Sequence, residues 1–281
     1  MMAGALFLSS CGQSGKERAA LRMSGIEKLE AGDYSGAVED FDSAIQASRG
    51  RVGSFEIDVL KYRAEAEYLL ADYPAAAHTY DVLLEVDGRD ISYLYQNAVM
   101  KALAGDADGA AAAYDEAVAM EKEEKEGKAG KPAKADGGGN AGDNSTEHVG
   151  GFGRTEALQA VGEACQAAGR QDEADRIFQE AVADRAAGPD IFNRMGLSYL
   201  ENGQYPEALD AFEQAVQSGA GEQWQQDPKM AEAVKEARFN RAVVYEYQGE
   251  YQKAFQAFQS YVAEFGMDDE AEKEMTFLQS R

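Results

Sequence analysis

An alanine, an aromatic ring four residues later and a small or apolar residue three further on recur six times along this chain. The triplets are Ala37/Phe41/Ala44, Ala76/Tyr80/Leu83, Ala110/Tyr114/Ala117, Ala174/Phe178/Ala181, Ala208/Phe212/Ala215 and Ala254/Phe258/Tyr261. Spacings of four and seven place all three members on one stripe of a helix. A small–large–small stripe lets a second helix approach closely while the ring fills the remaining space. Six copies predict stacked helix pairs rather than one central core.

Each triplet follows a turn signal: Gly32-Asp33-Tyr34, Ala71-Asp72-Tyr73, Gly105-Asp106-Ala107, Gly169-Arg170-Gln171, Gly203-Gln204-Tyr205 and Gly249-Glu250-Tyr251. A residue in the left-handed region just past a helix end stops that helix, and glycine adopts it without strain. Nine residues before the third turn residue stands a small one: Gly25, Ala64, Ala98, Gly162, Gly196 or Ala242. It falls in the preceding helix, where the ring of the following helix needs room. Each unit therefore reads as helix, short turn, helix.

The third turn residues stand at 34, 73, 107, 171, 205 and 251, and two of the steps between them are 34 residues long. This period, with Phe192-Asn193-Arg194-Met195-Gly196-Leu197-Ser198-Tyr199 followed by Gly203-Gln204-Tyr205-Pro206-Glu207-Ala208, resembles the tetratricopeptide repeat. The chain departs from that pattern in lacking the proline that usually closes the second helix. Leucine at Leu21, Leu60, Leu94 and Leu158 also replaces the usual large aromatic that opens the first helix.

The resemblance implies an all-α solenoid of about six helix–turn–helix repeats, in two blocks of three with a C-terminal capping helix. Repeats 1–3 are expected over 18–121 and repeats 4–6 over 154–267. Between them, 122–153 reads as a flexible linker rich in Gly and Lys, with Pro132 and Gly137-Gly138-Gly139. Glu121 to Glu126 extends the helix before it. Asp227-Pro228 signals an early, long first helix for repeat 6. Residues 268–281 read as the capping helix, with Asp269 and Glu272 as a capping box and Ala271, Met275 and Leu278 on one face.

Residues 1–17 differ from all of this. Met1 to Leu8 is a short apolar run, followed by Ser9-Ser10-Cys11 and a polar stretch. The segment resembles a bacterial lipoprotein signal, cut after Ser10, with Cys11 as the lipidated first residue of a tether. Several acyl chains bury enough CH₂ groups for stable attachment. It departs from such signals in having no basic residue before Lys16. The resemblance implies an extracytoplasmic protein, lipid-anchored to a bacterial membrane. Cys165 falls on an inward position of its helix and reads as a small buried thiol, which leaves no structural disulfide.

The net charge of −24, from 51 acidic and 27 basic residues, is spread along both halves. It disfavours nucleic acid, which needs a basic stripe. The two histidines, His78 and His148, have no partners at ligand spacing, so neither a metal site nor a histidine-based catalytic arrangement is expected. Gly137 to Gly142 matches G-x-G-x-x-G but follows no strand and opens no helix. No cofactor and no enzymatic activity are expected.

Binding remains. The resemblance implies that the first helices line a concave groove, with Arg22, Lys61, Tyr62, Glu65, Tyr95 and Gln96 facing it in the first half. Gln159, Asn193, Arg194, Phe239 and Asn240 face it in the second. Aromatic, Arg and Asn side chains suit an extended peptide or a partner helix. The carboxylate clamp of chaperone-binding relatives is missing: Arg22, Ile26, Tyr62, Ser92 and Gln96 occupy its places in repeats 1–3. Gln159, Glu163, Arg194, Glu236 and Asn240 occupy them in repeats 4–6. The expected role is a membrane-anchored scaffold for a protein partner. The alternatives are a component of envelope protein assembly or secretion machinery, or an accessory or sensor subunit of an envelope enzyme complex.

Overall fold

Thirteen helices and no strand are found among the described residues of the computed structural model, which are 9–129, 152–184, 187–220 and 227–281 (side chains at 9–14 and 127–129 excepted). They are α1 (Ser9–Glu30), α2 (Tyr34–Gln46), α3 (Ser54–Leu69), α4 (Tyr73–Val86), α5 (Ile91–Leu103), α6 (Ala107–Ala129) and α7 (Arg154–Ala167). Then follow α8 (Gln171–Ala183), α9 (Pro189–Glu201), α10 (Tyr205–Ser218), α11 (Pro228–Tyr247), α12 (Tyr251–Phe265) and α13 (Asp269–Gln279). Every expected turn separates two helices.

The turns are built alike. Gly203, with φ of 72°, takes the left-handed conformation that closes α9. Gln204 N then donates to Tyr199 O at 2.8 Å, satisfying a carbonyl that the helix end leaves open. Ala71 does the same job with φ of 60°, and Asp72 N donates to Glu67 O at 2.9 Å. The next residue starts the second helix. In the first three turns it is aspartate: Asp33, Asp72 and Asp106 accept from the backbone N–H of Gly36, Ala75 and Gly109 at 3.1, 3.2 and 2.9 Å. In the turns before α8, α10 and α12 it is Arg170, Gln204 or Glu250, with no side-chain cap.

The triplets form the core. Phe41, Tyr114, Phe178, Phe212 and Phe258 are fully buried, as are the alanines that precede them, and Tyr80 is nearly so. Each such ring contributes on the order of 1.5–3 kcal/mol by leaving water. Close approach depends on the small residue of the first helix. A Cβ at Gly25 would lie 2.5 Å from the Phe41 ring, and one at Gly196 2.5 Å from the Phe212 ring.

By their contacts the helices divide into two units, Met1–Gly169 and Arg170–Arg281. In the first, α1 to α6 pack in sequence and α7 packs on α5 and α6. The contact boundary therefore falls at Gly169, whereas the sequence composition suggests a division at 122–153. The reason is that α7, although it follows the Gly/Lys-rich stretch, stacks on repeat 3 as its next first helix. Phe152, just before α7, meets the Tyr68 ring edge-on at 5.2 Å. Helix α6 continues to Ala129, into the segment read as linker; residues 130–151 lie outside the described residues. In the second unit, α8 packs on α9, and α9 to α13 pack in sequence.

The last helix is shorter than its neighbours. It starts at the N-cap Asp268, one residue earlier than the expected Asp269, because Asp268 accepts from Ala271 N at 2.9 Å. Ala271 and Leu278 are buried, and Met275 packs on the cluster of Ala242, Ala254 and Phe258. Residues 1–8 and the side chain of Cys11 lie outside what is described, so the lipoprotein signal has no structural account.

Candidate interaction face

At several junctions the first helices of successive repeats lie closer together than the second helices do. Helix α1 meets α3 and α5 meets α7; in the second unit α9 meets α11. No second helix packs comparably on the next second helix among the described residues. A stack spaced this way bends toward its first helices, so within each unit these line the inner face.

Polar and aromatic side chains join neighbouring first helices along that face. The Arg22 guanidinium pairs with Asp58 and lies 5.2 Å from the centre of the Tyr62 ring, joining α1 to α3. The Lys61 ammonium lies 5.4 Å from the Tyr93 ring, joining α3 to α5. Arg154 donates to the Tyr95 hydroxyl at 3.3 Å and pairs with Glu121 at 3.4 Å, joining α7 to α5 and α6. In the second unit, Asn193 donates to Glu236 at 2.9 Å and accepts from Asn240 at 3.3 Å, joining α9 to α11.

These are largely the residues expected to face a groove, and the structure engages them with one another. Tyr95 is only 4% exposed, packed against Tyr114 with centroids 6.0 Å apart; burial pushes its phenol up to about 12. Asn193 is 3% exposed. Tyr62 stacks on Phe41 at 5.9 Å, and Phe239 meets Phe258 and Tyr261 edge-on at 5.1 and 5.5 Å. Gln96 accepts from the Tyr80 hydroxyl and donates to Ser92 at 3.1 Å. Glu65 is buried, Gln159 donates to Glu163 at 3.2 Å, and Arg194 is half-buried. The sequence placed these side chains on the correct helices. It could not show that neighbouring first helices come close enough for them to pair.

Two charged clusters were missed, one between repeats 1 and 2 and one inside repeat 2. Glu56 closes the gap between α1, α2 and α3: it accepts from Ser48 at 2.6 Å and from Gly53 N at 3.0 Å, and pairs with Arg18. Burial opposes its ionisation, yet these donors hold its carboxyl below the usual range. Glu67, 2% exposed, accepts from Thr79 at 2.6 Å and pairs with Arg63 at 3.1 Å; burial outweighs both and pushes its carboxyl up. Neither pattern differs in sequence from an ordinary acidic helix face.

Two clefts open on the inner face of the first unit, one of about 480 Å³ beside Tyr95, Phe152 and Arg154 and one of about 470 Å³ between α1 and α3. In the second of these, Ala19, Arg22 and Met23 form one wall, and Ser54, Phe55 and Asp58 the other. Met23 is 50% exposed.

A family model described as "Tetratricopeptide repeat" matches residues 160–230 and 193–269. In three dimensions the chain is similar to MamA, at 14% identity and a TM-score of 0.54, covering 76% of this chain and 97% of MamA. It is also similar to PilW, described as a widely conserved type IV pilus biogenesis factor, at 13% identity and 0.51, covering 93% and 98%. A third likeness is to pilF of Pseudomonas aeruginosa, at 12% identity and 0.50, covering 95% and 99%. At these identities the likeness is one of fold. The chain carries tetratricopeptide repeats over 160–269, within an all-helical repeat fold. No curated protein sequence matches it.

Tetratricopeptide-repeat proteins bind protein partners and are generally scaffolds without catalysis of their own. Among the described residues of this one, no helix is long and apolar enough to cross a membrane, and no group of three or more His, Cys, Asp or Glu side chains is arranged to hold a metal ion. Cys165 is a buried thiol in α7, outside any disulfide.

Proposed function

We propose that this tetratricopeptide-repeat protein is a scaffold tethered to a bacterial membrane by lipid on Cys11, where it holds a peptide or helix of a protein partner. The cleft between α1 and α3 carries this reading. It lies between consecutive first helices, it exposes half of Met23, and its lining combines Ala19, Met23 and Phe55 with the charged Arg22 and Asp58. An exposed methionine adapts to varied apolar partners, and the flanking charges fix orientation. Since most other polar groups of the inner face are engaged with one another, a partner would be held there through apolar surface of the kind Met23 and Phe55 offer in this cleft.

A role in envelope protein assembly is the second reading. PilW, a pilus biogenesis factor, shares the fold over nearly its whole length, which supports the architecture and leaves the partner to experiment.

A photo-crosslinking residue at Met23 should trap a discrete partner in cells, while the same residue at exposed Glu39 on α2 should not. Equal crosslinking from both positions would remove the cleft from the proposal. Separately, Cys11→Ala should move the protein from the membrane fraction to the soluble fraction. A wild-type protein already soluble would remove the anchor and leave the cleft standing.

A further inference from the structure

We propose that the last repeat carries a further binding site, for a neutral saccharide, in a cavity of about 840 Å³ between the first half of α12 and the end of α13. That volume is in the range of small-ligand sites. The cavity belongs to the second unit, and the proposal does not depend on the cleft between α1 and α3. Its lining differs from the inner face, where polar groups mostly pair with one another. Here a row of side-chain amides stands unpaired beside an exposed ring.

Gln252, Gln256 and Gln259 fall on one stripe of α12, at spacings of four and seven, and all three are exposed. The stripe runs about 10 Å along the helix, a length on the scale of a disaccharide. Gln279 lines the same cavity from the end of α13. Among the described residues none of these four side-chain amides makes a hydrogen bond; the Ser260 hydroxyl donates to the backbone carbonyl of Gln256 at 3.0 Å and leaves its side chain alone. By contrast, Gln159, Gln171 and Gln214 each bond an acidic side chain four residues away on their own helix. Helix α12 provides no such acid: four residues after Gln252, Gln256 and Gln259 stand Gln256, Ser260 and Ala263.

The apolar part of the lining is anchored in the core. Leu278 is buried and Phe255 partly so, both in the cluster of Ala242, Ala254 and Phe258. Tyr251, 37% exposed, meets the Phe277 ring edge-on at 6.3 Å. The Arg281 guanidinium lies 4.6 Å from the Phe277 ring and 5.7 Å from the Tyr251 ring, and so braces both. A ring held in this way presents apolar surface with little left to order on binding. Saccharide rings carry C–H groups that pack on such a surface, while the hydroxyls around them reach the amides.

The chemistry of the lining selects against other ligands. Lys253 pairs with Glu250, and among the described residues the lining carries one further charge, on Arg281, whose flat face is spent on two rings. Around them the chain carries a net charge of −24, which repels anions. A purely apolar ligand would strip water from the amides and return no hydrogen bond. A proline-rich peptide offers carbonyl acceptors but few donors, and would leave the amide oxygens without partners. A hydroxyl both donates and accepts, as a glutamine side chain does, so a neutral polyhydroxy ligand satisfies both ends of each amide.

Titration of the full chain with cellobiose, maltose and N,N′-diacetylchitobiose, followed by saturation-transfer NMR and calorimetry, tests this. At least one of these disaccharides should bind. Gln256→Ala and Gln259→Ala should each weaken that binding by about three- to tenfold, as expected for one neutral hydrogen bond. Both side chains are exposed, so the melting midpoint should stay unchanged in either variant. Gln217→Ala, exposed on α10 and outside the cavity, should bind as the wild type does. Binding of none of the three disaccharides, or equal weakening by Gln217→Ala, would overturn the proposal. So would an oligoproline peptide held by the same amides in their place, or binding of glucuronate alone that high salt abolishes.

Discussion

Arg154 at the start of α7 donates to the Tyr95 hydroxyl on α5 at 3.3 Å, across a sequence separation of 59 residues. The same guanidinium lies 5.7 Å from the centre of the Tyr114 ring and pairs with Glu121 on α6. It therefore fastens α7 to both helices of the preceding repeat. Arg154→Ala should destabilise the first unit by about 1–3 kcal/mol, since a charge-assisted hydrogen bond and a cation–ring contact are lost together. Urea denaturation measures the change. Hydrogen exchange should show α7 losing protection before α2 and α3; uniform loss would mean that Arg154 is not a local fastening.

Gly196 and Phe212 set the separation of α9 and α10. A Cβ on Gly196 would stand 2.5 Å from the ring, closer than side-chain atoms approach, and the ring is fully buried. Gly196→Leu should cost about 1–3 kcal/mol by forcing the helices apart. Gly196→Ala should already cost part of this, although alanine is the better helix former in isolation. Thermal melts of both variants give the order; a stabilised alanine variant would show that the ring can move aside.

The helix pairs were legible because burial imposed a period on the sequence. Phe41, Phe212 and Phe258 recur where a second helix must fill the space beside a small residue, and all three are fully buried. Asp227-Pro228 likewise opened α11 as its local chemistry required, with Asp227 accepting from Lys229 N at 2.9 Å. The inner face of the first helices was only half legible. Arg22, Tyr62 and Asn193 were assigned to the right helices, but whether a polar side chain meets a ligand or its neighbour depends on how closely successive repeats approach. That distance is a sum of packing over the whole stack and leaves no local pattern. Glu67 was invisible for a related reason: Arg63 pairs with it from one turn away on α3, but Thr79, which completes the cluster, comes from α4.

Ala71 is the exception among the six turns. It holds φ of 60°, where its Cβ crowds the backbone, while the other five turns use glycine. The left-handed conformation costs a residue with a Cβ roughly 1–2 kcal/mol, and glycine returns part of that as greater freedom in the unfolded chain. Ala71→Gly should therefore stabilise the first unit by about 0.5–1 kcal/mol. A lower midpoint in denaturant would mean that the Ala71 methyl makes a compensating contact.

The turn caps differ between the halves of the chain, and the difference is testable by transplanting one. Asp72 has φ and ψ of −87° and 68°, carries a proline two residues later, and accepts from Ala75 N at 3.2 Å. Gln204 has nearly the same backbone, −86° and 66°, and the same proline spacing, yet its longer side chain makes no cap. Gln204→Asp should place a carboxylate against Glu207 N without moving the backbone. Capping of this kind is worth about 0.5–2 kcal/mol, and the helix dipole favours the added charge. Glu207 in the same turn offsets some of it by repulsion, so a gain near the lower end is expected. Gln204→Asn supplies a similar acceptor without the charge and should recover the difference. The reciprocal change, Asp72→Ala, should destabilise by about 1 kcal/mol. If Gln204→Asp and Gln204→Asn both leave the melting midpoint unchanged while Asp72→Ala lowers it, the first N–H groups of α10 are already satisfied by water, and the cap in repeat 2 serves its neighbours rather than its own helix.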